Sequence, residues 1–131
     1  RVKINDIIIF DGECKPTQQK YFILQEQIES KDKNLLEIEH YNKQGKETVV
    51  DSNDEMVSDK ALILKSIMLD DFVIPDLILH HRPFYVKWTK QQLKEQKDRP
   101  EVIKNNLYFG YNGIYKFEFC NDSAKEYYRC W

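Results

Sequence analysis

Apolar and polar positions alternate with a two-residue period over much of the chain, the spacing that puts successive side chains on opposite faces of a β-strand. Across 20–27, Tyr21, Ile23 and Gln25 take one face and Phe22, Leu24 and Glu26 the other. Across 34–42, Leu36, Ile38 and His40 oppose Leu35, Glu37, Glu39 and Tyr41. Two paired strands with one buried face are expected, joined by the polar turn 29–33 and followed by a reversal at Gln44-Gly45. Near the other end, 107–119 reads as two alternating runs around Asn112-Gly113, a dipeptide suited to the positive backbone angles of a tight hairpin.

The pattern changes to a helical one after residue 120. Ser123 and Glu126 have capping-box spacing, and Ala124, Tyr127, Tyr128 and Trp131 fall on one helical stripe. Between the two ends, 2–10 is β-branched and apolar and predicts a single first strand, bounded by Asp11-Gly12. Residues 13–19 then form a loop, 47–50 continue the sheet and 51–55 make an acidic turn. The apolar run 61–69 fits a strand or a short helix, and strand is preferred because Asp70-Asp71 leads into a further strand, 72–79, broken near Pro75. A turn at 80–83 and a strand at 84–88 follow. Thr89 and Gln92 begin a helix that Arg99-Pro100 ends, giving a helical insertion around 89–105.

The order of a basic residue, an aromatic pair, two aliphatics, an acidic turn, a hydrophobic strand and a Lys/Gly turn resembles the start of a pleckstrin homology (PH) domain. A last hairpin leading into an amphipathic helix with a late Trp is similar to that family's closing element. The resemblance covers about 18–50 and 106–131. It implies a mainly β fold, a bent antiparallel sandwich or partial barrel capped by a C-terminal α-helix, as one domain over 1–131. The chain offers more strand candidates than the roughly seven that family requires.

Members that bind phosphoinositides place cationic donors around a headgroup phosphate at the open end of the sandwich. Here Lys20 stands at the family's Arg position, Gln18 replaces a basic residue two before it, and Ile9-Phe10-Asp11 ends the first strand without a Lys. Lys15 in the loop and Lys43 and Lys46 in the next turn complete the set. The resemblance thus implies a non-enzymatic membrane-targeting module at the cytosolic membrane face, peripheral and cytoplasmic. Its ligand would be an anionic phospholipid, phosphoinositide or phosphatidic acid, held by Lys15, Lys20, Lys43 and Lys46. The alternative is a PH-like protein-interaction (docking) domain in which a peptide lies along a strand edge.

Composition narrows the remaining classes. At 131 residues and 41% hydrophobic, the chain suits one domain with a core. A net charge of −2 provides no global basic field for nucleic acid. A second basic stretch runs through Arg82, Lys87, Lys90, Lys94, Lys97, Arg99 and Lys104, diluted by Glu95 and Asp98. Tyr108, Tyr111 and Tyr115 lack a basic platform for stacking RNA bases. His80-His81 beside Asp76 has no second ligand pair, so neither a metal nor a cofactor is expected, and no nucleophile or phosphate-loop motif points to an enzyme. Cys14, Cys120 and Cys130 are odd in number and widely spaced, which argues against a disulfide framework and for a reducing compartment. No stretch approaches the roughly 20 apolar residues of a membrane span. A chain opening on Arg1 without Met reads as a fragment.

Overall fold

The computed structural model describes residues 1–12, 23–28, 32–41, 49–50, 52–53, 56–58, 61–95 and 100–120. Over these residues the chain forms, in order, β1 (Val2–Ile4), β2 (Ile7–Phe10), β3 (Lys33–His40), β4 (Val49–Val50), β5 (Met56–Ser58), β6 (Leu62–Ile63), β7 (Met68–Leu69) and β8 (Phe72–Val73). Helix α1 (Asp76–His81), β9 (Phe84–Val86), α2 (Lys90–Glu95), β10 (Val102–Ile103), β11 (Tyr108–Phe109) and β12 (Gly113–Cys120) follow. The mainly β expectation holds. One antiparallel sheet dominates, with strand order β10-β9-β12-β3-β1-β2, and three two-stranded ladders pair β6 with β11, β4 with β5 and β7 with β8.

The centre of this sheet is the β3–β12 ladder. Its register sets Asn34, Leu36, Ile38 and His40 opposite Phe119, Phe117, Tyr115 and Gly113. Those are the inward positions, so the alternation of β3 has the phase its sequence predicts. Tyr115, Phe117 and Phe119 join Phe84, Phe109, Ile74 and Leu79 in the core, and Leu36 and Ile38 pack against it. Phe84 stacks on Phe109 with centroids 4.8 Å apart, and Phe109 meets Tyr115 at 5.3 Å. Each such aromatic, taken fully out of water, contributes about 1.5–3 kcal/mol. The Tyr115 hydroxyl, also buried, donates to Leu79 O at 2.8 Å and ties the sheet to the end of α1.

Several local expectations are corrected. Residues 2–10 are two strands, because Asn5 (φ 50°) and Asp6 (φ 66°) form a two-residue turn in the left-handed region, which Asn and Asp tolerate. Asp70 and Asp71 do the same between β7 and β8 at φ 46° and 65°, as the sequence suggested. Residues 23–28 carry no strand, 20–22 of the expected strand lie outside the described residues, and β3 pairs with β1 and β12. The run 107–119 is not a hairpin: β11 pairs with β6, while β12 lies between β3 and β9. Gly113 is needed for space, since a Cβ there would meet Tyr85 O and lie 2.7 Å from Phe84 Cζ.

The apolar run 61–69 divides into β6 and β7. Pro75, read as a strand break, is the N-cap of α1, so His80 and His81 belong to that helix's last turn. The strand expected over 84–88 ends at Val86. The capping box of α2 is present, with Gln92 N–H donating to Thr89 Oγ1 at 3.2 Å and Thr89 N–H to Gln92 Oε1 at 2.9 Å. Of the expected insertion, Lys90–Glu95 is helical, 96–99 lie outside the described residues, and Val102–Ile103 returns to the sheet as β10.

The C-terminal helix expected over 121–131 lies outside the described residues. Cys120, at the end of the central strand, is disulfide-bonded, contrary to the expectation from the cysteine count.

Candidate functional site

The outward positions of the central strands carry charge. On β3 these are Lys33, Leu35, Glu37 and Glu39; on β1, Lys3; on β12, Ile114, Lys116, Glu118 and Cys120; and on β9, Tyr85. Strand register converts this alternation into rows across the sheet. One row runs Lys3, Glu37, Lys116, with Glu37 directly opposite both lysines. The other runs Glu39, Ile114, Tyr85.

Glu39 is the most engaged carboxylate on this face. Lys87 Nζ lies 2.9 Å from Glu39 Oε2, and Arg1 Nη1 lies 3.4 Å from Glu39 Oε1. The Glu39 backbone N–H also donates to Arg1 O at 2.7 Å, which fixes the first residue beside β3. Lys87 is largely exposed, so the pair contributes at most about 1 kcal/mol to stability. Its importance is for arrangement. Arg1, Lys3, Glu37, Glu39, Lys87 and Ile114 line an open depression of about 220 Å³. With Lys116 beside it, the depression sets four cations around Glu37 and Glu39, in a chain whose net charge is −2, and Glu118 lies further along the same side of β12.

Arg1 extends the network toward the first hairpin. Its guanidinium lies 4.7 Å from the centre of the Tyr41 ring and 3.5 Å from Asp11 Oδ2. The Tyr41 hydroxyl donates to Asp11 Oδ1. That hydrogen bond, with Arg1 adding its charge, holds the Asp11 carboxyl below the ordinary carboxylate range, and the same bond raises the Tyr41 hydroxyl above its own range against the opposing pull of Arg1. At the other side, Lys116 Nζ lies 5.1 Å over the Tyr85 ring.

The sheet's N-terminal edge adjoins this face. β2 is an end strand of the six, and its Ile7 and Ile8 are 67% and 53% exposed. Ile8 stands opposite Lys3, and Ile7 opposite Ile4, which packs against the core.

The four lysines proposed for a headgroup, Lys15, Lys20, Lys43 and Lys46, all lie outside the described residues. Of the second basic stretch, Lys87 reaches the charged face, while Lys90 and Lys94 are exposed on α2 and Lys97 and Arg99 lie outside the described residues. Arg82 is half-buried, 5.6 Å over Phe117, and burial lowers its pKa. Tyr115 is in the core, where burial pushes its hydroxyl pKa up, and Tyr111 packs edge-on against Trp88 at 4.8 Å. Among the described residues, no group of three His, Cys, Asp or Glu side chains is placed to hold a metal ion, and no helix is long and apolar enough to cross a membrane.

Arg1, Lys3, Glu37 and Glu39 were not singled out from the sequence. The polar phase of 34–42 exposes the two glutamates, but only non-local register brings cations beside them. No protein-family model matches this chain, and no curated protein or solved structure does.

Proposed function

We propose that this chain is a non-enzymatic docking module that binds a protein partner through the outer face of its six-stranded sheet. The observation carrying this reading is the interleaving of charge: Glu39 lies between Arg1 and Lys87, and Glu37 between Lys3 and Lys116. A mosaic of this kind selects a surface with the complementary mosaic and penalises like-charge mismatches. It suits a phosphate poorly, because any anion drawn to these cations meets two carboxylates at the same place. An anionic phospholipid headgroup, the first reading of the sequence, therefore ranks below a protein on this face. The PH-like scaffold is compatible with an antiparallel sheet serving as a docking platform, and the proposal does not depend on it.

The test places a photo-crosslinking amino acid at Ile114, within the depression, and compares the wild-type face with the double variant Lys3→Glu/Lys116→Glu. Discrete protein crosslinks that disappear in the folded double variant are expected. Crosslinks indifferent to the charge change count against the reading. So does lysine-dependent sedimentation with phosphatidylserine or phosphoinositide vesicles in the absence of protein crosslinks, which returns the assignment to lipid.

A further inference from the structure

Resting on the docking reading above, we propose that the partner is held by strand addition: an extended segment, apolar on one side and acidic on the other, pairs at Ile8 with the edge of β2 that no described strand covers. Two observations specify the occupant. Ile7 and Ile8 are both majority-exposed, yet they belong to opposite faces of the sheet, since Ile7 stands opposite the core-packed Ile4 and Ile8 opposite the outward Lys3. A partner resting on one face covers only one of them. A strand laid along the edge covers both, because its own side chains alternate across the same two faces.

The backbone is ready for this pairing. In a two-residue hairpin, Ile4 and Ile7 exchange the bonds that close the turn, so alternation directs the N–H and C=O of Ile8 away from β1. Among the described residues, no strand pairs with that side of β2. The pairing between β1 and β2 shifts register between Val2 and Lys3, placing an irregularity after Ile8. Such irregularities bend an edge and shorten the stretch open to pairing. The site therefore suits a short segment rather than indefinite sheet growth.

Charge selects the partner's outward side chains. Lys3 lies directly beside Ile8 on the outer face, so a carboxylate on the added strand next to Ile8 approaches its ammonium group. A second copy of this chain fits less well. Antiparallel self-pairing through the outward N–H and C=O of Ile8 sets Ile8 against Ile8 and Asp6 against Phe10, so it brings an isoleucine and no carboxylate to the position beside Lys3.

The experiment selects binders from a displayed library of random ten-residue peptides against the full chain, then measures affinity and amide hydrogen exchange with the selected peptides. The expected peptides alternate apolar and acidic residues and slow exchange at the Ile8 amide. Affinity is expected to fall by about tenfold or more, equivalent to at least 1.4 kcal/mol, in Ile8→Pro, which removes the outward N–H, and in Ile8→Asp, which keeps the backbone donor. Lys94→Glu, exposed on α2 and outside the six-stranded sheet, is expected to leave peptide affinity within about twofold, and Lys116→Glu is measured beside it to separate the edge from the charged face. Thermal melts confirm that each variant is folded.

If peptides bind but are lost on Lys116→Glu and insensitive to both Ile8 variants, face docking stands and strand addition is overturned. If binding depends on Ile8 but the crosslinks at Ile114 do not depend on the lysines, the edge site stands and face docking fails. Concentration-dependent dimers with a protected Ile8 amide and no peptide binding assign the edge to a second copy and overturn the proposal.

Discussion

The side-chain amide of Asn5 donates to Asn34 Oδ1 at 2.9 Å, joining the first turn to a buried polar residue of the central ladder. Asn5 Oδ1 accepts the Leu35 N–H, and its backbone N–H donates to Leu35 O, each at 2.9 Å. Asn34 Nδ2 passes the connection to Phe119 O on β12 at 3.5 Å. One left-handed residue thereby extends the β1–β3 pairing past the end of β1.

Replacing Asn5 separates its two roles. Asn5→Ala introduces an unfavourable left-handed residue and leaves Asn34 without that donor, so destabilisation of roughly 2–4 kcal/mol is expected. Asn5→Gly keeps the turn and loses the side-chain bonds, at a cost of roughly 1–2 kcal/mol. Urea denaturation of both variants checks the order. Equal losses would show that the side-chain bonds, and not the backbone angle, account for the whole effect.

Gly113 tests the contact between β12 and β9. An added methyl group meets Tyr85 O and the Phe84 ring, and a strand held on both sides has little freedom to retreat. Gly113→Ala is expected to lose about 1–3 kcal/mol, with faster hydrogen exchange in β9 and β10 than in β1. Wild-type stability in this variant would mean that β9 shifts at little cost.

The Asp11–Tyr41 contact gives a pH signature. Asp11 titrates below its unfolded value, so its contribution to stability is present above that value and is lost as pH falls through the folded pKa. Tyr41→Phe removes the hydroxyl hydrogen bond and is expected to move the Asp11 carboxyl toward the ordinary carboxylate range. Carboxyl NMR titration of the two proteins measures this directly, and an unchanged midpoint would assign the depression to Arg1 alone.

Cys120 predicts a thiol count. The chain has three cysteines, and one disulfide leaves one thiol per molecule under native oxidising conditions, with three after reduction and unfolding. Reduction is expected to destabilise the fold by about 2–4 kcal/mol, read as a lower Tm in reductant. Three thiols in oxidised, denatured protein would contradict the bond.

What the sequence revealed was local. The phase of Leu36, Ile38 and His40, the Asp70-Asp71 turn and the Thr89/Gln92 box each depend on residues within a few positions of one another. The Asn5-Asp6 turn was hidden because Val2, Ile4, Ile7, Ile8 and Ile9 make a nearly unbroken apolar run around it. Helix α1, at six residues, is too short for a helical period to emerge beside Pro75. The charged face was least legible, because Lys3 meets Glu37 only through the β1–β3 register and Lys116 meets it only through β12.

The β3–β12 ladder joins residues 73 to 87 positions apart in the chain. During synthesis, β3 emerges long before its principal partner exists, and its apolar face has only local contacts to cover it until almost the whole described chain has left the ribosome. Closing so long a loop before the ladder can form raises the entropic barrier, placing folding toward the slow, millisecond-to-second end of single-domain behaviour. The last of the described strands to be made is therefore the one that completes the centre of the sheet, so a ribosome that stalls before Gly113 holds a chain with an unfinished core.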